Sequence, residues 1–322
     1  MNIVSKLDIV NPMLKSETFK VAIVGLGRVG TTTAYALLLK GLASELVLFS
    51  RDLKKAEGER QDLEHGSPFY SGTKIIATDS YEDLAGTDLV IFTAGCSQKP
   101  GQTRLELGKA NCEIVKKRIP SIVKHAPQTL ILMVSNPLDV MTYQASVLAK
   151  LAPGRVFGSG TLLDTARYRL HLSKLISVNP TSIHAYILGE HGDSSFAANS
   201  LASVGGKSLM SFPEISHEQL SWAQAEVRQD AYKIISGKGA TYYGIASALT
   251  HIVDVIKNDK RKIVPLSTPL HGQYSLNDLA LSLPCLLGRN GVLKVLDPEL
   301  SLEERDLLNA SATIIRENIL KS

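Results

Sequence analysis

Short continuous apolar runs alternate with longer segments of mixed polarity through the first half of the chain. "KVAIVGL" is apolar at every position after its lysine and stops at glycine, the pattern of a strand buried on both faces of a parallel sheet. "RVGTTTAYALLLKGL" follows as a helix closed by Gly41. "ELVLF" predicts the next strand, and "DLKKAEGERQDLEHG" a polar helix with Asp52 as its N-cap. "TKIIATD", "DLVIFTAG", "TLILMVSNP" and "GRVFGSGT" continue the series, with helical segments after the later runs. Strands alternating with helices predict an α/β fold with a doubly wound parallel sheet.

Beyond about residue 160 the rhythm changes. A helix over "LLDTARYRLHLSKLI" leads to "SIHAYILGEHG" and then to the alternating "SSFAANSLASVGG". Long helices are expected from about Glu218 to Lys257, then hairpin strands with "GRNG" as a turn signal, then a final helix from "SLEERDLLN". The expected organisation is an N-terminal arm (1–18), a sheet domain (19–160) and an α+β domain (161–322).

Composition changes this picture little. A net charge of +4, spread without a basic run or tail, argues against nucleic acid as a partner. Cys96, Cys112 and Cys285 are odd in number, lack metal-ligand spacing and fall in apolar or helical surroundings, so they read as reduced thiols of a cytoplasmic protein. The N-terminus lacks a signal-peptide pattern, and no apolar run is long enough to span a bilayer. The arm reads as a segment that packs on something, in an oligomer a neighbouring subunit.

Chemistry enters at Gly25-Leu26-Gly27-Arg28-Val29-Gly30, between a buried strand and a helix. The first glycine permits a tight turn, the second lets backbone approach a pyrophosphate, and the third packs helix on strand, while the helix N-terminus attracts the phosphate. Strand before and helix after favour a Rossmann-type dinucleotide site over an ordinary turn. Such a site usually ends its second strand in an acid that binds the adenosine ribose. Here "ELVLFSRD" ends in Ser50-Arg51.

Five further stretches, "TAGCSQKPGQTRLEL", "VSNPLDV", "GSGTLLDTARYR", "HAYILGEHGDS" and "GKGATYYGIA", resemble the bacterial L-lactate dehydrogenases, in order and over essentially the whole chain from about residue 19. The resemblance implies that His191 is the acid/base group, Asp164 its orienting partner, Arg104 the catalytic arginine of a mobile lid, and Arg167 the grip on the substrate carboxylate. On pattern alone His191 also suits a capping or core-edge histidine, and Asp164 a helix start. The chemistry is apt, since a 2-hydroxy acid loses a hydroxyl proton as its carbon loses hydride, and histidine's pKa suits that exchange. Asn136 is placed to bond the substrate oxygen or to cap the next element, and Thr241 to wall the pocket near the substrate methyl or to start a helix. Gln98 stands where malate dehydrogenases of this fold carry an arginine; a neutral side chain favours pyruvate and lactate over a dicarboxylate. The alternative is another L-2-hydroxyacid or malate dehydrogenase of this fold.

The resemblance also implies NAD(H) or NADP(H) along Gly25, Gly27, Val29, Gly30, Ser50, Arg51, Lys55, Gly95, Val134, Asn136 and Ser159. Ser50 replaces the family's usual NAD-selecting aspartate, removing its repulsion of a 2′-phosphate, and Arg51 supplies a charge, which tilts the expectation toward NADP(H). Arg169 and His184 match the positions that bind fructose 1,6-bisphosphate at a two-fold interface in those family members that respond to it. An allosteric homotetramer is therefore expected.

Overall fold

The computed structural model describes residues 18–70, 72–96 and 104–321. The first half runs β1 (Lys20–Val24), α1 (Arg28–Leu39), β2 (Glu45–Phe49), α2 (Leu53–His65), β3 (Lys74–Thr78), β4 (Leu89–Phe92), α3 (Arg104–His125), β5 (Leu130–Met133), α4 (Leu138–Ala149) and β6 (Val156–Gly158). The second half begins with α5 (Leu162–Ile176) and the two-residue strands β7 (Ile183–His184), β8 (Ile187–Leu188), β9 (Phe196–Ala197), β10 (Ser203–Val204) and β11 (Lys207–Ser208). It continues through α6 (His217–Lys238), α7 (Tyr243–Lys257), β12 (Lys262–His271), β13 (Asn277–Gly288), β14 (Gly291–Val295) and α8 (Leu302–Lys321).

β1 lies at the centre of a parallel sheet because both of its faces are covered. Val21 and Ile23 join Leu37 of α1 and Ile252 of α7 in one core cluster. Ala22 and Val24, pointing the other way, join Val115 of α3 and Met141 of α4 in a second. Alternation of side chains along a strand delivers successive residues to opposite layers, which is why the sequence needs an unbroken apolar run there. The chain builds outward from β1 to β2 and β3, then returns to lay β4, β5 and β6 on the other side. This reversal between β1 and β4 opens a crevice at the strands' carboxyl ends, where doubly wound sheets bind ligands.

The second half does not keep to itself. Among the described residues the large sheet runs β14-β13-β12-β6-β5-β4-β1-β2-β3, so the C-terminal strands extend the first half's sheet. β12 lies antiparallel to β6, with Ser267 opposite Gly158. Local pattern reads the hairpin correctly, including its turn between Gly288 and Gly291, but is silent on the strand it docks against. Helices α5 and α6 with strands β7, β8 and β10 pack around Tyr168, Leu172, Ile187 and Val227, while α8 packs on β13 around Leu281, Leu308 and Ala312.

Two local expectations need correcting. Arg104 is the first residue of α3 rather than the last of a loop. Cys112 and Cys285 are buried, but Cys96 is exposed, because the apolar run of β4 ends at Phe92 and the chain has left the sheet by then. Asp52 does cap α2, its Oδ1 accepting the Lys55 N–H at 3.1 Å, a contact worth about 1 kcal/mol. Among the described residues no helix is long and apolar enough to cross a membrane. Residues 1–17 of the expected arm (1–18) and residues 97–103, where a lid is expected, lie outside the described residues.

Candidate active site

A cavity of about 640 Å³ opens at the carboxyl ends of β1, β2 and β4 and is lined by Gly25, Gly27, Ser50, Arg51, Lys55 and Gly95. Its floor demands glycine. Gly25 has φ +112°, and a Cβ there would lie 2.5 Å from the Ala94 amide nitrogen. A Cβ on Gly30 would lie 2.1 Å from the Gly25 carbonyl oxygen, so this glycine serves helix–strand packing behind the loop. Gly27 is different: a Cβ would meet nothing within 4 Å, and this residue caps α1 with no side-chain hydrogen bond. The first-turn amides of α1 are thus left beside open space, a cradle that fits the pyrophosphate of a dinucleotide.

The other expected cofactor residues are not in the lining. Val29 and Val134 pack partly buried against the core, Ser159 is buried with its N–H donated to Met133, and the Asn136 carbonyl accepts from Asn111 Nδ2 at 2.8 Å. In their place the cavity gathers residues that no motif singled out, among them Asp79, Glu113, Lys117 and Arg118. Arg118 donates to the Tyr81 hydroxyl at 3.1 Å and lies over the Phe49 ring. These groups come from β3's end and from α3, distant in sequence, so spacing could not flag them. At the end of β2, the Ser50 hydroxyl accepts the Asp52 N–H at 3.1 Å, while Asp52's carboxylate is engaged in capping.

The second site is built on α5. Thr161 Oγ1 donates to the Ile187 carbonyl at 2.5 Å, and Thr165 Oγ1 accepts the Ile187 N–H at 3.0 Å, fastening the start of α5 to β8. Asp164 lies between these threonines and His191 lies just beyond β8, so the two side chains converge. His191 Nδ1 stands 2.8 Å from Asp164 Oδ2, and Arg167 Nη1 donates to Asp164 Oδ1 at 2.9 Å. Arg167, three residues beyond Asp164 on one helical face, shares that carboxylate with His191.

Electrostatics set the protonation of this trio. Burial pushes the Asp164 carboxyl up, but His191 and Arg167 outweigh it and hold the acid below its ordinary value. Burial likewise disfavours a charged His191, yet Asp164, aided by Asp139, outweighs this and raises the imidazole pKa above its ordinary value. With Nδ1 committed to Asp164, Nε2 is the nitrogen left for proton exchange, and the ring is 28% exposed, enough to reach a ligand. The arrangement can hold a proton on a fixed atom beside a cation able to bind an anion.

Two supports of the His191 loop escaped the sequence reading, one from α4 and one from α6. Asp139, 3% exposed in the first turn of α4, accepts the His191 backbone N–H on Oδ2 at 2.7 Å. On α6, Gln224, Arg228 and Tyr232 recur every fourth residue and form one stripe along the segment after His191. Gln224 Oε1 accepts from the Ala197 amide, Arg228 Nη2 donates to the Ser195 carbonyl at 2.8 Å, and the Tyr232 hydroxyl donates to Asp193 at 3.4 Å. The i, i+4 spacing was visible in sequence, but the loop it grips was not.

Residues 19–158 match the lactate/malate dehydrogenase NAD-binding domain, and residues 161–322 match the lactate/malate dehydrogenase alpha/beta C-terminal domain. The chain belongs to the lactate/malate dehydrogenase family. It is 44% identical over 305 residues to the L-lactate dehydrogenase of Acetivibrio thermocellus, covering 93% of this chain and 96% of that one. It is 44% identical over 301 residues to the L-lactate dehydrogenase of a Synechococcus strain, covering 93% and 98%. Among solved structures, a lactate dehydrogenase from a Medee basin deep-sea metagenome matches with TM-score 0.90 at 42% identity, covering 94% of this chain and 98% of that one. The ligand-bound minor L-lactate dehydrogenase of Enterococcus mundtii matches with TM-score 0.90 at 38% identity over the same shares.

The other expected substrate residues of this dehydrogenase are placed as follows. Asn136 follows β5 at its carboxyl end, exposed, and Pro137 rather than Asn136 is the N-cap of α4, so capping is not its task. Thr241 is half-buried in the link between α6 and α7, with Tyr242 rather than Thr241 capping α7. Arg28 of the glycine loop donates to the Lys238 carbonyl at 3.3 Å and lies over the Tyr242 ring, so this link abuts the dinucleotide loop. Gln98 lies outside the described residues, as does the side chain of Arg104. Arg169 turns away from the Arg167 site: Nε donates to the Ala185 carbonyl at 2.9 Å and the guanidinium lies over the Tyr186 ring. His184, the neighbour of Ala185, is exposed on β7.

Proposed function

We propose that this dehydrogenase is an L-lactate dehydrogenase that interconverts pyruvate and L-lactate, and that it works as a cytoplasmic homotetramer. The observation that carries this reading is the His191–Asp164–Arg167 constellation: a proton-holding imidazole, the carboxylate that orients it, and a guanidinium on the same helical face. A bound nicotinamide dinucleotide supplies the hydride. Arg167 pairs with the substrate carboxylate through charge-assisted hydrogen bonds and so fixes which face of C2 is presented. His191, whose protonated form Asp164 favours, delivers its Nε2 proton to the carbonyl oxygen as that oxygen gains charge, and takes it back in lactate oxidation. Arg104 polarises the ketone from the lid and excludes water, Asn136 bonds the same oxygen, Thr241 bounds the methyl end, and Gln98 leaves no cation for a second carboxylate. The test is reduction of pyruvate against oxaloacetate; a kcat/KM favouring oxaloacetate would overturn the assignment.

The cofactor reading goes further. We infer that NADPH is used at a substantial rate alongside NADH. The lining of the adenosine-end cavity supports this: Arg51, Lys55, Lys117 and Arg118 face Asp79 and Glu113, so among the described residues cations exceed carboxylates, and Ser50 brings none. One charge-assisted hydrogen bond to a 2′-phosphate is worth about 1.5–3 kcal/mol, roughly ten- to a hundredfold in affinity. Ser50→Asp is therefore expected to move the NADPH/NADH ratio of kcat/KM toward NADH by about tenfold or more. Wild-type kcat/KM strongly favouring NADH would refute the inference.

Fructose 1,6-bisphosphate is proposed as an activator. Burial holds the Arg169 guanidinium below its ordinary pKa, and it meets a backbone carbonyl and an aromatic ring, so it stands to gain from an anion. A two-fold axis would double Arg169 and exposed His184 into one polyanion site. The sugar bisphosphate should lower the KM for pyruvate in the wild type and not in Arg169→Gln; identical saturation curves with and without it would remove the proposal.

A further inference from the structure

We propose that Asp139 is a positioning residue for proton transfer, its carboxylate anchoring the backbone of His191 and placing a second negative charge beside the imidazole. This rests on the reading of His191 as the acid/base group.

Asp164 fixes the ring of His191 but not its main chain. His191 lies in a loop beyond β8, whose start is tied to β13 by paired hydrogen bonds between Gly189 and Ser282. Glu190 then donates its N–H to the Ser311 hydroxyl at 3.2 Å, and the tie at His191 itself is Asp139: Oδ2 accepts the His191 N–H at 2.7 Å and Oδ1 accepts the Ser267 hydroxyl at 2.6 Å. Asp139 thereby connects three elements, α4, the His191 loop and β12. It also follows Asn136 by three residues, so a single side chain sets the distance between the segment that meets the substrate oxygen and the segment that carries the proton. An acid/base group displaced by about 1 Å can lose a hundredfold in rate, so such a tie has value.

A carboxylate is an expensive choice for this task. Asp139 is buried, and an uncompensated charge there would be strongly destabilising. Two hydrogen bonds and the N-terminal turn of α4, which has no side-chain cap, compensate part of that cost. Burial still pushes the Asp139 carboxyl up to about 6, against the hydrogen bonds from Ser267 and His191, with Glu190 adding to the rise. An amide could make similar hydrogen bonds without this cost, which leaves the charge itself to be explained. The imidazole supplies the explanation: Asp164 and Asp139 both favour its protonated form, while Arg167 opposes it. Two carboxylates thus act against one guanidinium to keep the proton on His191.

The test uses the full-length protein. An NMR titration of the His191 imidazole should give a midpoint lower in Asp139→Asn than in the wild type by about half a pH unit. The fall of pyruvate kcat/KM with rising pH should move the same way. Asp139→Ala, which removes the anchor as well, should lower kcat by about 10- to 100-fold with cofactor Kd unchanged, and asparagine should restore most of that loss at low pH. If the alanine variant does not fold, Ser267→Ala, which frees one carboxylate oxygen, is expected to cost kcat about two- to fivefold. An unchanged His191 midpoint in Asp139→Asn, or wild-type kcat in a folded Asp139→Ala, overturns the proposal. The NMR measurement needs no turnover, so a protein that failed to reduce pyruvate would remove the functional reading and leave this test intact.

Discussion

Replacing His191 with glutamine is expected to lower kcat for pyruvate reduction by about 10²- to 10⁴-fold, the contribution of a positioned acid/base group. Glutamine can still hydrogen-bond Asp164 and the substrate oxygen, so binding of both ligands should change much less than turnover. The wild-type pH profile should carry the same signature. Because Asp164 raises the His191 pKa, the protonated form is present below that raised value and is lost as pH rises through it. Pyruvate reduction should therefore decline on the alkaline side, and lactate oxidation should rise over the same interval. Asp164→Asn removes the strongest group favouring the imidazolium and should shift both limbs to lower pH. Steady-state kinetics across pH with both substrates would check this, and a His191→Gln enzyme with near wild-type kcat would exclude His191 from the chemistry.

Arg167→Gln is the second large effect. Two charge-assisted hydrogen bonds to a carboxylate, at about 1.5–3 kcal/mol each, imply a loss of roughly 10²- to 10⁴-fold in kcat/KM for pyruvate. The Arg167–Asp164 contact complicates the expectation in a way that can be measured. Without Arg167, Asp164 keeps its bond to His191 but loses the cation on its other oxygen. Arg167 also opposes protonation of His191, so its removal should move the alkaline limb of pyruvate reduction to higher pH. Loss of substrate binding and this shift should appear together, whereas the cofactor Kd should stay constant, since Arg167 is not in the lining of the dinucleotide cavity. Unchanged KM and kcat would show that the guanidinium serves only to hold Asp164.

Much of the architecture was legible because it is written in local periodicity. The inner parallel strands β1, β2, β4 and β5 are apolar runs because both of their faces are buried, and α5 spans the fifteen residues of the predicted helix, Leu162–Ile176. The glycine loop was legible for a similar reason: Gly25 and Gly30 meet backbone where any side chain would collide. Asp164 and Arg167 could be paired in advance because a helix puts i and i+3 on one face. The docking of β12 on β6 was not legible, because strand pairing over more than a hundred residues leaves no trace in local pattern.

The same division runs through the sites. By itself the sequence determined the order of elements, the glycine loop and the family resemblance, and only through that resemblance the expected pairing of His191 with Asp164 and Arg167. Tertiary structure alone decided what surrounds them: Asp139 beneath the His191 backbone, the α6 stripe along the following loop, and the cations of α3 in the cavity beside the glycine loop. Sequence motifs record short-range geometry and steric necessity. Hydrogen bonds and fields act through space, and only the folded chain states which distant residues share it.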